Sequence, residues 1–230
     1  MQWLRSLATC ALLATSAACS TVGGNRADRQ HDMATGALLP GACEEPASLH
    51  QGQLGCYFDT AVQLRNPPRE LYWHIEEFVD PAIAEGAKGP ASAVVSAYDR
   101  TFLYTINGEA RFATPGGRPV SSVGPLPTPH AGAITARFMQ AMTKPGAVTR
   151  VHTHDGPEAF FLISGAICMD SPAGPAITGA GQTYWIGGNV PMQLHHAGAD
   201  VRRSIFVVLH PSSEPWMKMS DWKPTGGCTH

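Results

Sequence analysis

The chain has 230 residues, 43% of them hydrophobic, which is enough for one sizeable domain or two small ones. Charged residues make up only 15%, the net charge is -2 and no Lys/Arg-rich run occurs, so the electrostatic footprint of a nucleic-acid binder is missing. Glycine (24) and proline (19) are frequent but scattered, and with many short β-branched runs they indicate a turn-rich β protein, not a helical bundle.

In chain order, residues 1–18 read as a signal peptide. Arg5 gives the positive start, Leu7 to Ala18 is an apolar run of small residues too short to span a bilayer as a mature helix, and Ser16-Ala17-Ala18 is a small-residue cleavage site. Cys19 follows directly, and the arrangement resembles a bacterial lipoprotein signal in which Cys19 carries lipid. Ser16 stands where such signals usually have leucine, and the alternative is ordinary secretion with cleavage after Ala18. Either reading exports the protein, to the periplasm or to an outer-membrane tether, with the lipid as the only membrane contact. Residues 19–44, polar and without an apolar period, are expected to form a flexible tether.

With Cys10 removed and Cys19 lipidated, Cys43, Cys56, Cys168 and Cys228 remain, an even number that suits disulfides in an exported chain. Three pairings are open. The preferred one joins Cys43 to Cys56 across a short loop and uses Cys168–Cys228 to tie the tail to the body.

Residues 45–130 are expected to supply strands and one short helix that pack on the main domain. Cys43 to Leu64 carries few signals. Leu71 to Phe78 reads as an amphipathic strand, and Pro81 to Lys88 as a helix with Asp80 as N-cap and Pro81 in its first position. Ala91 to Ala97 and Thr101 to Ile106 form a hairpin around Asp99-Arg100. Pro115 to Pro129, dense in Pro, Gly and Ser, is expected to be loop. Further short strands follow at Ile134–Met142, Ile167–Met169, Ala176–Thr178, Thr183–Ile186, Met192–His195 and Ser204–His210, a spacing that means a sandwich or barrel. The tail, 213–230, is expected to lie on the outside with Trp216 and Trp222.

The chemistry concentrates between Gly146 and Gly165. Val148 to Val151 is β-prone, Asp155-Gly156-Pro157 is a turn signal, and Phe160 to Ile163 is apolar, so a strand–turn–strand hairpin is expected. Residues i and i+2 of a strand face one side. His152 and His154 therefore face together, and the turn can return Glu158 beside them. Two imidazoles and a carboxylate suit a divalent transition metal with open positions. By the same alternation Phe160 and Leu162 point to the pocket and Phe161 and Ile163 away. Arg150 shares the His152 face, and Tyr184 and Trp185 are candidates for the opening. His74 and His210 fall on strands as core or rim residues, while His31, His50, His130 and His230 are expected to be solvated.

Glycine, five residues, His, one residue, His, then Glu and a closing glycine, here Gly146, His152, His154, Glu158 and Gly165, resembles the first motif of the cupins. The resemblance implies an all-β fold, a jelly-roll-like β-barrel with an N-terminal extension containing a short helix, its core over 131–212 and its site in the barrel mouth. It implies a divalent transition metal (Fe, Mn, Ni or Zn) on His152, His154 and Glu158, and a small-molecule ligand. Because cupins often pair by strand exchange, it also admits a homodimer. The second cupin motif departs: its spacing gives Gly181, Gly187, Asn189, Met192 and His196, with Met192 where the last histidine ligand belongs. A thioether does not replace imidazole for such an ion. His196 shares the Met192 face but lies about 13 Å further along an ideal strand, so only a bulge would bring it in. The expected function is that of a metal-dependent cupin acting on a small oxygen-bearing molecule, as an oxidoreductase of the dioxygenase type, with isomerase or lyase chemistry as rivals. The alternative is a binding cupin that has lost its metal.

Overall fold

The structure is a computed structural model that describes residues 41–129 and 132–228. The signal peptide, Cys19, the tether up to residue 40, His31, His130 and His230 lie outside the described residues. The elements in chain order are β1 (Gly55–Arg65), β2 (Glu70–Phe78), α1 (Pro81–Ala87), β3 (Ser92–Ala97), β4 (Arg100–Asn107), β5 (Arg118–Pro127) and β6 (Ala133–Thr143). They continue with β7 (His152–Thr153), β8 (Glu158–Ser164), β9 (Ala166–Asp170), β10 (Ala176–Gly179), β11 (Thr183–Ile186), β12 (Gln193–Ala197), β13 (Arg202–Pro211) and β14 (Lys218–Met219). Strands pair in the orders β1-β6-β13-β8-β11, β10-β9-β12, β14-β7 and β3-β4-β2-β5.

The five-stranded sheet is covered on both faces because its side chains alternate. Phe138, Phe161, Ile205 and Val207 pack with Trp73, Phe102 and Tyr104 of the four-stranded sheet. Their neighbours Met139, Phe160, Leu162 and Phe206 pack with Ile167, Met169 and Leu194 of the three-stranded sheet. Burial on both sides is why β13 carries a continuous apolar run and not an alternating one. The division of Phe160 from Phe161 is the one expected from the period of two. α1 also forms where expected: the Asp80 side chain accepts from the Ala82 N–H at 2.7 Å, and Pro81 occupies the first turn.

Several expectations need correction. The segment expected to be loop, Pro115 to Pro129, contains β5, paired antiparallel with β2. β5 is an edge strand, where prolines lacking an N–H are tolerated. The featureless lead-in contains β1, which pairs with β6 over its whole length, so a barrel strand lies upstream of the expected boundary at 131. The last part of the expected tether is fixed, since Ala42 and Cys43 are buried. His50 is buried rather than solvated, stacked on Tyr57 and 2.6 Å from a Glu45 oxygen. Both preferred disulfides are present, Cys43–Cys56 and Cys168–Cys228. They close separations of 13 and 60 residues, worth about 3 and about 4 kcal/mol by loop-closure entropy.

A bulge in β1 leaves Asp59 out of register between Phe58 and Thr60. Gln140 Nε2 donates to its Oδ1 at 2.6 Å, but Oδ2 is buried without a partner, and the phenols of Tyr98 and Tyr104 lie close enough to feel its charge. Burial pushes the carboxyl up to about 7, against the partial relief from Gln140. A folded-state value above the unfolded one means the native protein holds the proton more tightly, so this group's contribution is full below about pH 4 and is lost as pH rises through about 7. Asp59→Asn is therefore expected to stabilise the protein at pH 8 by roughly 2–4 kcal/mol and to change little at pH 4. Thermal melts of both proteins across that range check it.

Candidate metal centre

The motif does not fold as a simple hairpin. β7 pairs with the tail strand β14, and His152 makes an isolated bridge with Met192, whereas Glu158 opens β8 in the five-stranded sheet. Asp155-Gly156-Pro157 is thus a crossing between two sheets that face each other. Gly156 makes it possible, because it sits against the Leu209 carbonyl where any side chain would collide. The two histidines come from one wall of the barrel and the carboxylate from the other.

The three side chains are buried, at 5%, 1% and 2% exposure for His152, His154 and Glu158. One donor atom from each lies within 4.8 Å of the others. The imidazole rings stand edge to face at 5.0 Å. His152 donates Nδ1–H to the Arg150 carbonyl at 2.8 Å, and His154 donates Nδ1–H to the Trp216 carbonyl at 2.6 Å. Those bonds set both tautomers and leave each Nε2 lone pair free, as metal-binding imidazoles require. His154 Nε2 and Glu158 Oε2 are 3.2 Å apart, yet neither has an aligned hydrogen bond and both are fully buried. Two unsatisfied acceptors face each other, and a cation between them would satisfy both. The spacing is close to that of adjacent ligands around an ion with bonds of about 2.1 Å.

Electrostatics agree with the geometry. Burial, and then the neighbouring His154, pulls His152 down to about 4, so its ring is neutral at neutral pH. Burial also pulls on His154, but the Glu158 carboxylate, the Trp216 carbonyl and Asp155 outweigh it and raise His154 above the usual histidine value.

This donor set, carried on facing antiparallel sheets with the closing glycine of the motif in the left-handed turn at Gly165, decides the architecture. The fold is a cupin-like jelly-roll barrel.

Solved structures similar to it include a cupin-2 domain protein of Shewanella frigidimarina, with 16% identity and TM-score 0.28 over 31% of this chain and 68% of that one. A cupin-like protein of Thermotoga maritima has 17% identity and TM-score 0.34 over 37% of this chain and 64% of that one. The DMSP lyase DddQ of Ruegeria pomeroyi has 12% identity and TM-score 0.33 over 41% of this chain and 45% of that one. No family model and no curated protein sequence matches the chain. The cupin-like fold rests on strand order and motif geometry, not on these partial overlaps.

The position where the cupin motif has its last histidine is apolar here. Met192 is buried at 1% exposure in the cluster with Phe160, Leu194 and Val208, its backbone paired with His152 at 2.9 and 3.1 Å. His196 does not replace it: β12 pairs with β9 without a register shift, so no bulge shortens the gap, and His196 Nδ1 is engaged with Thr143 Oγ1 at 3.0 Å. His210 is not a donor to the group either, its Nδ1–H going to the Pro211 and Glu214 carbonyls. The cavity before the donors, about 70 Å³, is lined by Phe160 as expected and by Leu194 and Phe206. Arg150 lines it too, with its side chain largely in solvent. Tyr184 packs beside the apolar cluster but does not line the cavity, and Trp185 is exposed at 38%.

The largest correction concerns the tail. Trp216, half-buried, does more than lie on the outside: it stacks on His154 at 5.6 Å and 17°, lines the cavity, and donates its Nε1–H to Glu44 at 2.6 Å. Arg202 is a second residue with no motif to mark it. It lies in phase with Phe206 on β13, and that alternation is the only sequence signal that could have found it.

Proposed function

We propose that the protein is a metal-dependent cupin that acts on a small oxygen-bearing molecule in the cell envelope, as an oxidoreductase of the dioxygenase type. One observation carries the reading: two imidazoles with fixed tautomers and one carboxylate bring their donor atoms within 4.8 Å of one another, those of His154 and Glu158 buried and unsatisfied. A divalent ion of iron, manganese, nickel or zinc there would supply Lewis-acid or redox chemistry toward the substrate. The protein's own part is positional. His152 and His154 present neutral Nε2 atoms, and Glu158 brings the compensating charge. Trp216 covers the outer side of His154, and Phe160, Leu194 and Phe206 keep the cavity apolar. The two disulfides support an exported location, because such bonds persist in oxidising compartments.

Protein produced with each of the four metals is expected to hold one ion per chain by elemental analysis, and uptake of none of them overturns the proposal. Substrate-dependent oxygen uptake at an electrode supports the dioxygenase class; turnover that proceeds equally without oxygen moves it to isomerase or lyase chemistry. A second reading, a binding cupin without turnover, is favoured by one observation, the apolar Met192 in the fourth position.

A further inference from the structure

Arg202 opens β13, and its side chain lies on the same face as Ser204 and Phe206, lining the cavity that His152 and Glu158 also line. It is only 5% exposed. Other arginines of the domain have carboxylate partners: Arg100 and Arg118 share Glu77, and Arg137 meets Glu44. The Arg202 side chain, more buried than these, takes part in no ion pair or hydrogen bond among the described residues, and its Nε is fully covered without a partner. Burial lowers the guanidinium to about 10, with Tyr98 and Glu158 opposing, so it stays charged at neutral pH. A buried charge without a partner is destabilising. The fold nevertheless holds it in place: Gly165 packs on Arg202 so closely that a side chain at 165 would meet the Arg202 Cα at 2.8 Å. The rest of the lining is mostly apolar and includes Phe160, Leu194 and Phe206.

We propose that Arg202 anchors the substrate's anionic end: the cavity takes a small monocarboxylic acid with an apolar body, its carboxylate on the guanidinium and its other end toward His152, His154 and Glu158. The planar fork of arginine matches a carboxylate through two parallel hydrogen bonds, and the small volume of the cavity limits the body to a few carbons. The orientation toward the donor group rests on the metal reading of the previous section; the anchor does not.

The test measures binding of straight-chain acids from acetate to hexanoate, and of the matching amides, to the full chain by calorimetry, with and without metal. Wild type is expected to bind at least one acid ten-fold or more above its amide, and Arg202→Met to lose that preference. Because Arg202→Met removes an unpaired charge, its melting temperature without ligand is expected to match or exceed that of wild type. Equal binding of acid and amide by wild type, a preference retained in Arg202→Met, or a variant that melts well below wild type each overturns the anchor. Acid binding that vanishes on chelation assigns the carboxylate to the ion and overturns the anchor while leaving the metal site standing. A chain that takes up no metal but keeps the acid preference sinks the metal reading and supports the anchor.

Discussion

His152→Ala is expected to lower metal affinity by more than about 100-fold while the barrel stays folded. Losing a group that merely supports a ligand typically costs 10- to 100-fold, and His152 is one of only three donors in the group. The neighbouring position offers no replacement, since Met192 is a thioether and His196 is held by Thr143. The fold should survive, because the His152 backbone N–H and C=O, which pair with Met192, are unchanged in alanine. The hole left by the ring is expected to cost roughly 1–3 kcal/mol. Elemental analysis after dialysis, beside a circular-dichroism melt, reads both quantities. Met192→His is the complementary change: it offers a fourth imidazole across from His152 and is expected to tighten binding. Metal retained in full by folded His152→Ala would place the ion elsewhere.

Gly156→Ala is expected to be the most damaging single methyl group in the site. A Cβ there would lie 2.0 Å from the Leu209 carbonyl oxygen and 2.3 Å from Pro129 Cγ. Leu209 belongs to a central strand of the five-stranded sheet, and its own N–H donates to the Pro157 carbonyl at 3.0 Å, so neither side can yield cheaply. The crossing that carries the chain from His154 to Glu158 must move, at a cost of roughly 3–5 kcal/mol, and the 3.2 Å approach of their donor atoms opens. Gly146→Ala is the control. Nothing lies within 4 Å of a Cβ at that position, and only its φ of +88° is unfavourable, a penalty of about 1–2 kcal/mol. Comparing the two melts and the two metal contents separates collision from backbone strain; a Gly156→Ala as mild as Gly146→Ala would refute the close approach.

The parts of this protein legible in its sequence are those set by short-range geometry. The helix at Pro81 follows from its cap and its proline, and the opposite fates of Phe160 and Phe161 follow from a period of two. The convergence of His152, His154 and Glu158 follows from a glycine-bounded motif seven residues long at its heart. β1 and β5 were not legible, because an edge strand needs less apolar content and β5 can hold prolines on its unpaired side. Nor was the crossing between sheets: a turn signal states that the chain bends, not which strand it meets next.

The sequence by itself pointed to His152, His154 and Glu158 as one group and to Met192 where the motif has its last histidine. Only the tertiary structure decided that Trp216, 62 residues beyond His154, holds that ring by its carbonyl, and that Arg202 enters the same cavity without an ion-pair partner among the described residues. The reason is that local periodicity assigns a side chain to a face of its strand. What lies opposite that face depends on contacts between distant segments, which leave no mark on either segment alone.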